Sequence, residues 1–193
     1  MKAKEVRDFC FKGLLFEAEA ERFRRAGIQI GIDSTRQQES ELEKALAPFS
    51  IELRNDAMEM GRLYTLLFCF ENEVRDFIRD VLEDNDGNDW QTKLPRSTVS
   101  RAQARLKDAV KNSWLEGQKT DPLSYLDFGQ LSDLIIEKWD FFKPLLPSQH
   151  WLKQRMDEME KARNFIAHNR MLLPNEFDRM YMYISDWNRQ IGL

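Results

Sequence analysis

Arg163, Asn164 and His168 stand in the order Arg-Asn-x-x-x-His near the end of a long helical pattern. Asn164 and His168 are four residues apart, so a helix sets them on one face, a turn from each other. Arg163 lies about 100° round the helix from Asn164. The chemistry this trio suits is phosphate handling. A guanidinium grips phosphate oxygens, an imidazole moves a proton near neutral pH, and an amide orients either. The same residues also suit a polar, solvated last turn, where cationic side chains complement the helix dipole.

The helix that must position them shows its core face plainly. Leu152, Met156, Met159, Ala162 and Ile166 recur at four and three, the spacing of a core-facing stripe. With Met159 as the centre of that face, His168 points about 180° away, Asn164 about 140° and Arg163 about 40°. Neither His168 nor Asn164 belongs to the core, whereas the Arg163 stem packs and its head needs a partner. Phe165 and Leu172 flank His168 on the outward side. Apolar residues beside an outward polar group imply a second covering surface, another subunit.

Upstream, about Ser50 to Leu82 is the longest helical pattern, with a seam of Leu63, Leu67, Phe70, Val74, Phe77 and Val81. Met60, Tyr64, Glu71, Arg75 and Ile78 lie beside it. Glu71 and Arg75 form a local ion pair at i,i+4, or one of them meets Arg163 or His168 across the bundle. Glu83 to Asp89 reads as an acidic, solvated turn without calcium-loop spacing. A helix from about Ser97 to Glu116 carries Arg101 and Arg105 on one face and Lys107 and Lys111 on another. This most basic segment is either a phosphate patch or an ordinary solvated face.

Asp121 to Gly129 is a loop with aromatics. It leads to a helix over Gln130 to Phe142, with Leu131, Leu134, Ile135 and Trp139 on its apolar face and Pro144 and Pro147 beyond its end. Ser148 caps the helix that bears the Arg-Asn-x-x-x-His residues. After Leu172-Leu173-Pro174, Phe177, Met180, Ile184, Trp187 and Ile191 mark a last helix. At the other end of the chain, residues 3–26 read as a helix, Gly27 to Asp33 as a packed loop, and Ser34 to Ala47 as a short helix stopped by Pro48.

Composition narrows the class. The 193 residues are rich in charge and poor in glycine, which favours helices. The formal net charge of −4 gives no global nucleic-acid signature, so any RNA contact is local. Cys10 and Cys69 form no C-x-x-C pair and have apolar neighbours. Both are expected to be reduced and buried, in a cytoplasmic protein with no metal site. No apolar run reaches membrane-spanning length, and the N-terminal residues lack a signal peptide's apolar core.

These features together resemble the HEPN (higher eukaryote and prokaryote nucleotide-binding) superfamily, whose signature is Arg-Asn-x-x-x-His on a late helix of a small all-helical domain. The likeness extends to Phe70–Ile78, the Asp121 to Phe128 loop with Gly129-Gln130-Leu131, Trp139, Trp151, Glu176 and Trp187. It looks like the branch found at the end of a nuclear RNA-surveillance endoribonuclease and in many free-standing bacterial proteins. It covers roughly residues 46–193, leaving 1–45 as an N-terminal helical extension of no assigned role.

The resemblance implies an all-α bundle that dimerises and brings two motifs into one cleft. Catalytic members are metal-independent endoribonucleases that need no cofactor and act in phage defence, toxin–antitoxin pairs and RNA processing. Other members bind RNA or protein without cutting. Carried onto this chain, Arg163, Asn164 and His168 are the catalytic positions, with Glu71 a weaker match in support. The charge pattern itself adds Arg75 as a supporting candidate and Arg101, Arg105 and Arg170 as RNA-binding candidates. The partners implied are RNA, a second copy of the chain and an antitoxin or defence-system protein, with no membrane.

Overall fold

The computed structural model describes residues 22, 40–112 and 119–192. The expected helix over 3–26, Cys10 and the Gly27 to Asp33 loop lie outside the described residues, residue 22 excepted. Two compact units divide the chain, Met1–Asn55 and Asp56–Leu193. In the first, residues 40–46 are helical and give way to a turn at 47–48, where Pro48 was expected to stop them.

The elements that follow are α1 (Ile51–Asp86), a 3-10 turn (Trp90–Lys93), α2 (Arg96–Lys111), a second 3-10 turn (Pro122–Tyr125), α3 (Phe128–Glu137), the single turn α4 (Trp139–Phe142), α5 (Gln149–Ala167) and α6 (Pro174–Ile191). There is no strand among the described residues, and the fold is all-α.

The seam of α1 is set by spacings of three and four. Met60, Leu63, Leu67, Phe70, Val74, Ile78 and Val81 are all buried. The expected seam held Phe77 in place of Ile78. A step of four from Val74 keeps the stripe on the core face, so Ile78 is fully buried and Phe77 stands at its edge. Phe77 still packs its ring on Trp187 at 5.3 Å and on Phe142 at 5.7 Å. Cys69, expected to be buried, is exposed and unpaired, because it follows Phe68 on the face that turns away from this seam.

The acidic stretch after Leu82 is also corrected. Its first four residues prolong α1 to Asp86, and the turn begins only at Gly87, whose φ of 81° is a left-handed value that suits glycine. Two of these acids have inward partners. Asp86 pairs with Lys138 at 2.9 Å, and Glu83 accepts the indole N–H of buried Trp90 at 3.3 Å. The helix expected over Gln130 to Phe142 is likewise broken at Lys138, which leaves helical ψ (27°) while its ammonium reaches Asp86.

Local signals explain the other boundaries. Asp127 and Gln130 form a reciprocal capping box at the start of α3. Ser148 caps α5 by accepting the Trp151 amide. Pro174 starts α6 where its missing N–H has no cost. The five residues of the α5 stripe are its buried residues, and they pack mainly on α3. Trp187 of α6 closes the core. It meets Phe70 edge-on at 5.6 Å and stacks with Trp151 at 6.4 Å.

Candidate functional site

The last turn of α5 is shaped by its C-cap. His168 ends the helix at φ −94° and ψ 21°, and Asn169 follows at φ 56°. The Asn169 amide donates to Ile166 O at 2.8 Å and the Arg170 amide to Phe165 O at 3.2 Å. This pair is the Schellman pattern, in which asparagine is the common substitute for glycine at the left-handed position. His168 keeps its helical relation to Asn164, whose carbonyl accepts its amide at 3.1 Å. Its side chain is exposed and makes no hydrogen bond among the described residues.

Arg163 and Asn164 are half-buried on that turn. Arg163 donates through Nη1 to Asn164 Oδ1 at 2.9 Å, and its Nε stands 3.8 Å from Glu71 Oε2. That separation is an ion pair too long for a hydrogen bond, and the buried Nε has no acceptor. Glu71 is also bound by Arg75, so the two open alternatives for Glu71 both exist: the local pair and the pair across the bundle. Arg75 further donates to Asn72 Oδ1 at 3.2 Å and to the carbonyls of Leu123 at 3.1 Å and Leu126 at 2.9 Å. It thereby fixes the second 3-10 turn to α1.

These groups border a cavity of about 330 Å³ lined by Tyr64, Phe68, Glu71, Asn72, Arg75, Lys119, Ser124, Arg163 and Ala167. His168 follows Ala167 directly and is not among the lining residues. Tyr64, Phe68 and Asn72 repeat every four residues, so the sequence contained a second stripe on α1 beside the core seam. Lys119 and Ser124 had no sequence signal, because a long-range clamp delivers them.

The remaining candidates lie elsewhere. Arg101 pairs with Asp133 at 2.8 Å and Arg105 with Asp127, joining α2 to α3 and its cap. Both guanidiniums therefore already have carboxylate partners, and neither lines the cavity. Arg170 is exposed, with its guanidinium 5.4 Å from the centre of the Phe165 ring. Among the described residues no group of three or more His, Cys, Asp or Glu could hold a metal ion.

Glu160 on α5 approaches the α3 N-terminus so closely that a Cβ at Gly129 would lie 2.8 Å from its Oε2. Burial, then the charge of Asp127, raise its pKa above the ordinary carboxylate value, while Arg163 opposes the shift. A raised carboxyl pKa means the folded chain holds the proton to higher pH than the unfolded chain does. The stability this contributes at acid pH is lost as pH rises through the folded pKa. Glu160→Gln is therefore expected to melt higher than wild type at pH 7, with the gain vanishing in acid where both states are protonated. A lower melting temperature at pH 7 would mean that attraction to Arg163 outweighs burial.

A family model described as Swt1-like HEPN matches residues 65–192. No curated protein and no solved structure gives a significant match. The matched span runs from the middle of α1 to the end of α6 and includes Glu71, Arg163, Asn164 and His168. No described helix is long and apolar enough to cross a membrane. HEPN domains as a class are nuclease and RNA-binding modules. Because the match covers well over half of the chain, this protein belongs to the Swt1-like HEPN family.

Proposed function

We propose that this protein is a metal-independent endoribonuclease whose cut is made through the RNA 2′-hydroxyl. The observation that carries the reading is the joined pair Arg163–Asn164 at a cavity edge, one turn before an exposed imidazole that has no partner among the described residues. RNA supplies its own nucleophile. His168 accepts the 2′-hydroxyl proton or protonates the leaving 5′-oxygen. Arg163 stabilises charge on the phosphorane, with Glu71 steadying its guanidinium, and Asn164 holds Arg163 or the phosphate in register. The products are a 2′,3′-cyclic phosphate and a 5′-hydroxyl.

A single imidazole serves one proton transfer at a time, and a second copy of the chain supplies another. Phe165, Met171 and Leu173, the last 72 % exposed, surround the motif turn and provide the apolar surface for that homodimer. A phage-defence or toxin role, neutralised by a partner protein, accords with such an activity.

A second reading is a HEPN module that binds RNA or protein and cuts nothing. The acidic net charge and the ion-paired state of Arg101 and Arg105 favour its protein-binding form. Incubating the full chain with a pool of single-stranded and structured RNA in EDTA, and mapping product ends, separates the two. Cyclic-phosphate ends are expected. An intact pool in the presence of protein shown to be dimeric would favour the binding module.

A further inference from the structure

Part of the cavity wall has no role in the proton and charge transfers proposed for Arg163 and His168. Tyr64 and Phe68 lie one turn apart on α1, line the cavity and are 47 % and 61 % exposed. The core seam of α1 leaves them out, so packing does not account for two large rings held in water. Apart from Ala167, the rest of the lining is polar: Asn72, Arg75, Lys119 and Ser124 join Glu71 and Arg163. Neither the Tyr64 nor the Ser124 hydroxyl makes a hydrogen bond among the described residues. Asn72 uses one amide hydrogen on Phe68 O, at 2.8 Å, and accepts one bond from Arg75, so it retains a donor and a lone pair.

The wall is also pre-formed. Arg75 ties the Leu123 and Leu126 carbonyls to α1, and Arg79 binds Asp121 through Nε at 3.1 Å. Asp121 caps the turn by accepting the Leu123 amide at 2.8 Å. The Tyr125 hydroxyl lies 3.1 Å from both the amide and the carbonyl of Lys119. Ser124 and Lys119 are thus presented to the cavity on a braced segment.

We propose that this cavity is a nucleobase subsite for single-stranded RNA. An unstacked base lies against Tyr64 and Phe68, presents its edge to Asn72 and Ser124, and has Lys119 and Arg75 near its backbone. Aromatic faces beside a few fixed polar groups are the recognition chemistry of an unpaired base. The volume, near 330 Å³, is at the lower end for small-ligand sites and suits one nucleotide. An apolar seam between subunits would not place six polar side chains around two rings. The location next to the reacting phosphate rests on the nuclease reading, whereas base binding itself does not.

The test uses the full chain and a fluorescent single-stranded 2′-fluoro RNA, which lacks the attacking hydroxyl, followed by anisotropy. Tyr64→Ala and Phe68→Ala are each expected to weaken binding about ten-fold or more, with Tyr64→Phe close to wild type. An abasic strand of the same length is expected to bind wild type as weakly as the intact strand binds the variants. Both alanine variants should melt with wild type, since neither ring is in the core. Equal binding of intact and abasic strands overturns the proposal. So does unchanged affinity in both variants, failure of wild type to bind either strand, or a loss that coincides with a fall in dimer mass. Base-dependent binding without any RNA cleavage sustains the subsite and sinks the nuclease reading. Cleavage that survives unchanged in both variants does the reverse.

Discussion

His168→Ala is expected to slow RNA cleavage by about 10²–10⁴-fold, the usual contribution of a positioned general acid or base, while the melting temperature stays at the wild-type value. The separation of the two readouts follows from the helix end. The His168 side chain is exposed and makes no hydrogen bond among the described residues, while its amide and the αL turn at Asn169 are backbone features that alanine preserves. A side chain that stabilised the cap could not be removed so cheaply. The measurement is a single-turnover cleavage rate in EDTA beside a thermal melt of the same sample. Cleavage within a few-fold of wild type would take His168 out of the reaction and leave the Arg163–Asn164 pair as a binding feature. A large drop in melting temperature would make the lost activity uninformative.

What the sequence revealed depended on whether the decisive partner was near in the chain. The α5 stripe from Leu152 to Ile166 was readable because period alone fixes a core face, and all five residues are buried. Ser148, Pro147 and Pro174 marked helix ends by local chemistry. The break at Lys138 left no local mark, since neither glycine nor proline is there, and Lys138 finds Asp86 across 52 positions. That same pairing, with Trp90 on Glu83, turned an acidic run that looked solvated into the end of α1. Arg101 and Arg105 appeared as a basic stripe because their acids, Asp133 and Asp127, come from α3 and its cap.

The candidate site divides along the same line. Glu71 opposite Arg163 was one of two open alternatives, and spacing could not choose between them because a carboxylate has two oxygens and meets both guanidiniums. The stripe of Tyr64, Phe68 and Asn72 was present as a repeat of four, yet nothing in the sequence indicated a cavity beside it. That cavity exists because the segment from Lys119 to Leu126 is brought to α1, by Arg75 on the Leu123 and Leu126 carbonyls and by Arg79 on Asp121.

Arg75→Met is expected to destabilise the fold by about 3 kcal/mol, the lower end for breaking a buried ion pair, which corresponds to a melting temperature about 6–12 °C lower for a chain of this size. Methionine keeps the length and apolar stem of arginine but removes the donors that serve Glu71, Asn72, Leu123 O and Leu126 O. The two carbonyls and the carboxylate then face a largely buried space, and leaving such groups unpaired costs more than their bonds contributed. Arg163 near Glu71 moderates the loss, which is why the lower end applies. Arg75→Lys keeps charge without the planar fork and should fall between the two. The double variant Glu71→Gln with Arg75→Met should recover part of the loss, since a neutral amide is less costly to leave without its cation. Urea or thermal unfolding of the four proteins measures this directly. If Arg75→Met melts within a degree or so of wild type, Arg75 is not the clamp. Braced presentation of Ser124 and Lys119 must then come from Arg79 on Asp121 and from the Tyr125 hydroxyl on the Lys119 backbone.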